Sequence, residues 1–130
     1  MPELQAVITE GAPAPVGPYN QAVVGGGVVY CSGQIALDPA TGSMVGAGDV
    51  EAETRQVLAN LQAVLAAAGC PSQQVMRTTV YLADLADFER VNAVYAEFFG
   101  SGVSPARACI QAAGLPKGAR VEIDCIALLG

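Results

Sequence analysis

Arg107 and Glu122 stand out because each interrupts a run that is otherwise apolar and β-prone. The first run spans 104–113 and the second 119–129, and a Gly-Leu-Pro-Lys-Gly turn at 114–118 joins them. That pattern predicts strand, turn, strand. Side chains alternate faces along a strand, so Arg107, Cys109 and Gln111 share one side of the first run. Glu122 and Asp124 share one side of the second, with Val121, Ile123 and Cys125 on the other. A lone charge in an apolar strand is costly unless it is paired or faces a ligand cavity. Two chemistries fit. The pair can be a structural ion pair. Alternatively, the two charges face a ligand cavity.

The rest of the chain must supply the elements that position these groups. An irregular arm runs to Pro18, with one short strand over Leu4–Thr9, and Gly17-Pro18 makes a stiff bend that aims Tyr19. Tyr19 reads as a half-buried packing residue or as a pocket hydroxyl. Gln21–Val24 and Val28–Leu37 form a hairpin around Gly25-Gly26-Gly27. Ser32-Gly33 lies inside its second strand, where a glycine marks a bulge or a close approach of a ligand. Met44-Val45 is a short third strand after the turn at 38–42. Asp49 caps a helix that ends at Gly69, with a stripe of Val50, Thr54, Val57, Leu61, Val64 and Ala68 toward a sheet. Glu51, Glu53 and Arg55 read as its solvated face. Gln74–Ala83 is the next strand. Asp87 caps a second helix to about Phe99, whose buried stripe is Phe88, Val91, Tyr95 and Phe98. Asn92 lies close to that stripe, either as a satisfied core amide or at a pocket. The order predicts an α+β fold, a mixed β-sheet with two helices packed on one face.

Size and composition set the outer limits. The chain of 130 residues suits one compact domain, 1–130. Hydrophobic residues make up 52% and charged residues 14%, with a mean hydropathy of +0.42. That apolar excess exceeds what a small domain hides by itself and predicts an oligomer. The net charge of −6 and only six Lys and Arg argue against nucleic-acid binding. No signal peptide is visible in 1–10, and Pro and Gly break the uncharged stretch 11–37, so no membrane partner is expected. Cys31, Cys70, Cys109 and Cys125 are widely spaced, and the sequence has no histidine. No metal site is therefore expected, and reduced thiols fit a cytoplasmic protein.

Three sets of residues point further. Pro105-Ala-Arg107-Ala-Cys109, Leu115-Pro116-Lys117 and Val121-Glu122-Ile123-Asp124-Cys125-Ile126-Ala127 form one set at the C-terminus. Gly17-Pro18-Tyr19-Asn20-Gln21-Ala22 and Cys31-Ser32-Gly33-Gln34 form another near the N-terminus. Val91-Asn92-Ala93-Val94-Tyr95 with Phe98-Phe99 is the third. In order and spacing the chain resembles the reactive intermediate deaminase (Rid, YjgF) family over nearly its whole length. Asn20 departs from the serine or small apolar residue of many relatives. The resemblance implies a chorismate-mutase-like (YjgF-like) fold and a homotrimer with pockets between subunits. It implies cofactor-free hydrolysis of 2-imino acids, released by pyridoxal-phosphate-dependent dehydratases, to 2-oxo acids and ammonia. Arg107 would hold the substrate carboxylate and Glu122 the attacking water. Tyr19, Ser32, Gly33, Asn92 and Cys109 would line the pocket. Two rival expectations are a non-catalytic metabolite-binding or chaperone-like protein and an RNA-cleaving translation inhibitor. The missing histidine and the acidic balance weigh against the second.

Overall fold

The computed structural model describes residues 3–130. Eight main elements follow in chain order: β1 (Gln5–Val7), β2 (Ala22–Gly25), β3 (Val28–Gln34), α1 (Val50–Ala67), β4 (Val75–Leu82), α2 (Phe88–Phe98), β5 (Ala106–Gln111) and β6 (Val121–Leu128). They form one six-stranded sheet of order β1-β2-β3-β6-β4-β5. Every pairing is antiparallel except β4 with β5, which is parallel. Parallel neighbours need a long crossover, and α2 supplies it. The result is the expected α+β arrangement of a mixed sheet and two helices. Among the described residues no helix is long and apolar enough to cross a membrane.

The helices cover one face because the sequence gives each element an apolar stripe. Val57, Leu58, Leu61, Val64 and Leu65 of α1 are fully buried, as are Val29, Val80, Val121 and Ile123 of the sheet. Burying one such aliphatic side chain contributes about 1.5–3 kcal/mol. Thr78 of β4 bonds the Tyr95 hydroxyl of α2 at 2.7 Å, which fixes that helix to the same face. Asp49 caps α1 by accepting from the Glu51 and Ala52 N–H groups. Gly26 and Gly27 hold φ of 58° and 78°, the left-handed pair that a two-residue hairpin turn requires.

Several expectations need correction. β1 covers only Gln5–Val7, β3 stops at Gln34, and the third strand is a single bridge between Leu37 and Met44. Asp87 does not cap α2. It has helical backbone angles, and its buried carboxylate instead accepts from Arg90 and Arg120. Phe88 is exposed rather than part of the buried stripe, and Val94 is buried in its place. Glu53 does not face solvent. Its Oε1 accepts from the Arg120 N–H at 3.0 Å and its Oε2, fully buried, has no partner.

The opposite face of the sheet is bare. Register puts Tyr30 beside Ile126 and Ile110 beside Tyr81 on that face. Tyr30, Ile110 and Leu128 are each about half exposed there.

Candidate active site

Glu122 projects from the bare face of β6, flanked along the strand by the buried Val121 and Ile123. Beside it β3 breaks register with β6 between Cys31 and Gln34, so Ser32 and Gly33 form a bulge. The Glu122 carboxylate lies directly over the Gly33 Cα, where an added Cβ would overlap Oε2. Only glycine admits that approach. Burial, reinforced by the negative Asp124 two residues on, pushes the Glu122 carboxyl above the usual carboxylate range. Asp124 is held by the Tyr81 hydroxyl, which donates to its Oδ2 at 3.0 Å.

A cavity of about 350 Å³ opens at this carboxylate. Tyr19, Ser32, Gly33, Gln34, Lys117 and Glu122 all line it. Its far wall is the N-terminal arm, which the buried Gln21 stitches down. The Gln21 amide accepts from the Thr9 N–H and donates to the Thr9, Ala12 and Pro13 carbonyls. The Ser32 hydroxyl donates to the Asn20 carbonyl at 2.6 Å, tying the bulge to the Tyr19 bend. Tyr19 is about half exposed at the rim.

Arg107 is elsewhere. It lies on the edge strand β5, exposed, across from Thr78. Thr78 in turn lies across from Cys125. Neighbours across strands share a face, so Arg107 is on the helix-covered side and Glu122 on the other. Two strand spacings and a three-residue offset put their Cα atoms about 14 Å apart. The possibility that the two form an ion pair within one chain is thereby removed. The guanidinium instead stacks 4.7 Å from the Tyr95 ring centroid and 5.5 Å from that of Phe88. Its Nη1 donates to the Asn92 Oδ1 at 2.8 Å. Arg107, Asn92, Tyr95, Phe99 and Pro105 line a second, open cleft of about 490 Å³. Asn92 is thus neither a satisfied core amide nor a neighbour of Glu122; it aims the arginine. Cys109 follows on the same side of β5, half-buried, with its thiol pKa raised by burial against the lowering effect of Arg107.

The seven residues expected to act together therefore fall into two clusters. Glu122, Tyr19, Ser32 and Gly33 share one cavity, while Arg107, Asn92 and Cys109 lie at the opposite edge and face. The aromatic floor under Arg107 was not expected: in the sequence Phe88 and Tyr95 look like buried stripe residues of a helix. Among the described residues no group of three or more His, Cys, Asp or Glu side chains is arranged to hold a metal ion.

Comparison with known proteins agrees with the fold. Residues 9–129 match the family model described as Endoribonuclease L-PSP. A RutC family protein of Synechocystis, slr0709, is 51% identical over 126 residues, 97% of each chain. A 2-iminobutanoate/2-iminopropanoate deaminase of Mus musculus is 49% identical, over 97% of this chain and 92% of that protein. Among solved structures, the YjgF gene product of E. coli superposes with a TM-score of 0.90 at 42% identity, covering 95% of this chain and 98% of that one. E. coli TdcF with bound serine gives 0.92 at 38% identity, over 97% and 99%.

Proposed function

The chain belongs to the Endoribonuclease L-PSP family, which includes the reactive intermediate deaminases (Rid, YjgF), and from that premise we propose that it hydrolyses small 2-imino acids to 2-oxo acids and ammonia. The observation that carries the reading is the Glu122 carboxyl, set over Gly33 in a cavity and raised in pKa by its surroundings. A carboxyl so raised accepts a proton more readily than a free carboxylate, and taking up and returning one is what the reaction demands.

An imine carbon is already electrophilic, so orientation, a placed water and proton transfer suffice. The water oxygen bonds to C2 of the N-protonated imine as Glu122 takes its proton and the C=N electron pair moves to nitrogen, giving a neutral tetrahedral carbinolamine. Glu122 then delivers a proton to the amine nitrogen. The C–N bond breaks, ammonia leaves, and the hydroxyl proton is shed as the C2 carbonyl forms. Ser32 and Tyr19 offer hydroxyls at the wall, and the missing side chain at Gly33 leaves room for the Glu122 carboxylate.

The carboxylate of the substrate needs a cation, and Arg107 is presented for that purpose by Asn92 and its aromatic floor. It cannot reach the Glu122 cavity of its own chain. We therefore propose a site completed between copies, with Arg107 of one chain facing Glu122 of the next in a homotrimer. The bare sheet face with Tyr30, Ile110 and Leu128 supplies apolar surface for such an assembly.

The direct test is a coupled assay. The protein is added to a threonine dehydratase working on threonine, and release of 2-oxobutanoate is followed. Acceleration that scales with the amount of protein supports imine hydrolysis; an unchanged rate contradicts it.

A further inference from the structure

The cysteines are widely spaced in the sequence, but the fold brings two of them face to face. Cys31 and Cys125 are direct Cα partners in the antiparallel pairing of β3 with β6. Opposed residues in such a pair lie about 4.5–5.5 Å apart at Cα, inside the window of about 4.4–6.8 Å that a disulfide spans. Register is regular from Val28 to Cys31 and breaks only beyond it, at the Ser32-Gly33 bulge. Opposed residues share a face, and these two are buried under the helices, at 7% and 2% exposure. Their other cross-strand neighbours are Ala22 and Thr78, so across the sheet each sulfur faces one thiol and no second one. Both are free thiols.

The remaining buried thiol, Cys70, is engaged elsewhere. Its Sγ donates to the carbonyls of Leu128 at 3.4 Å and Pro71 at 3.7 Å. Among the described residues no three Cys, His, Asp or Glu side chains are arranged around a metal ion, so the cysteines do not form a soft-metal site. A buried thiol by itself is inert packing. The pairing sets these two apart, because whichever sulfur is oxidised first has a thiol as its cross-strand neighbour instead of a hydrocarbon. The hydrogen bond with Cys31, and then burial, push the Cys125 thiol up. Cys125 therefore keeps its proton, and Cys31, the less deeply buried of the two, is the sulfur that reacts first.

We propose that Cys31 and Cys125 form a modification site, a cross-strand dithiol that hydrogen peroxide converts into a disulfide pinning β3 to β6. The Cys31 sulfur bonds to one peroxide oxygen as the O–O bond breaks. The departing hydroxide takes the Cys31 thiol proton, which leaves a sulfenic acid and one water. The Cys125 sulfur then displaces hydroxide from that sulfenic acid, and its own proton completes a second water. Two thiols are oxidised and one peroxide is reduced. The bond forms on the helix-covered side, away from the cavity where Glu122 lies over Gly33, and closes no part of it. It closes a chain loop of roughly ninety residues, long enough for a large gain in stability.

The test uses the wild-type chain. The folded protein is treated with hydrogen peroxide, quenched with catalase, denatured and labelled with N-ethylmaleimide, and the labels are counted by mass spectrometry. Sulfoxide at the exposed Met76 certifies that the oxidant was sufficient. The expected result is a fall from four labels to two, with a cross-linked peptide joining Cys31 to Cys125. The melting temperature should rise by roughly 5 °C or more and return when dithiothreitol is added. Cys70→Ala should give the same cross-link, and Cys31→Ala none. Four labels retained once Met76 is oxidised would overturn the proposal. So would a cross-link that engages Cys70 or Cys109 in place of either residue, or a Cys31–Cys125 bond that leaves the melting temperature unchanged or lower.

Discussion

The tasks proposed for Arg107 and Glu122 are separable, and single substitutions should separate them. Arg107→Ala removes two charge-assisted hydrogen bonds to the substrate carboxylate, worth about 1.5–3 kcal/mol each. The expected loss is about 10²–10⁴-fold in kcat/KM, together with affinity for 2-oxobutanoate. Glu122→Gln keeps the shape but removes the proton acceptor, so kcat should fall by about 10²–10⁴-fold while 2-oxobutanoate still binds. Gly33→Ala is a sharper probe, because its backbone φ is not positive and only the Cβ matters. The displaced carboxylate should cost about 10²-fold in kcat with little change in melting temperature. A Gly33→Ala variant with full turnover would show that Glu122 need not sit where the fold holds it. Glu122 also predicts a pH effect on stability. Its carboxyl is raised by burial and by Asp124, so the folded form holds its proton more tightly than the unfolded form. The stability it contributes is fully present below the unfolded value of about 4.3 and is lost as pH rises through the folded value. Glu122→Gln should therefore melt higher than wild type at neutral pH, with the gap closing toward pH 4. A gap independent of pH would contradict the assignment of the raised group.

At the scale of elements, the start of β6 is fixed by a buried polar knot. The Arg120 N–H donates to Glu53 of α1, and its guanidinium donates to the Gly48 carbonyl and to Asp87. Glu122 follows two residues later, so the knot sets where its strand begins. Glu53→Ala removes the acceptor of a part-buried N–H and should cost about 1–3 kcal/mol in urea unfolding. Glu53→Gln keeps the Oε1 acceptor and should stay within about 1 kcal/mol of wild type, since the oxygen it replaces has no partner. Equal losses in the two would mean that the negative charge, not the acceptor, holds Arg120. Much of this architecture was legible in the sequence. The apolar stripe of α1, its Asp49 cap, the glycine hairpin and the alternation in β6 all follow from local periodicity and turn chemistry. Glu53 was misread because helical spacing alone cannot show that a second element, the Arg120 turn, closes over a charged position. Asp87 was misread for the same reason: its carboxylate is drawn away from its own helix by two arginines. The expected site residues were named from their types and family positions. Their division between two faces was not legible, because it depends on β6 pairing between β3 and β4, a long-range choice that no local pattern encodes.

At the scale of the whole molecule, the proposed site is split between two places on one chain. The Glu122 cavity is not reached by Arg107, which lies at the far edge beside an open cleft. A head-to-tail ring brings unlike patches together, so each site in a trimer would draw Arg107 from one copy and Glu122 from its neighbour. In that proposed ring the bare sheet face would form an apolar centre, and light scattering should report a trimer rather than the 13.2 kDa monomer. The most direct test of a shared site is complementation. Arg107→Ala and Glu122→Gln, each inactive alone, are co-refolded in equal amounts. Random assembly leaves about one quarter of the sites with both native residues, so roughly a quarter of wild-type turnover should return. If each chain builds its own site, no mixture contains an intact one and activity stays at the level of the separate variants.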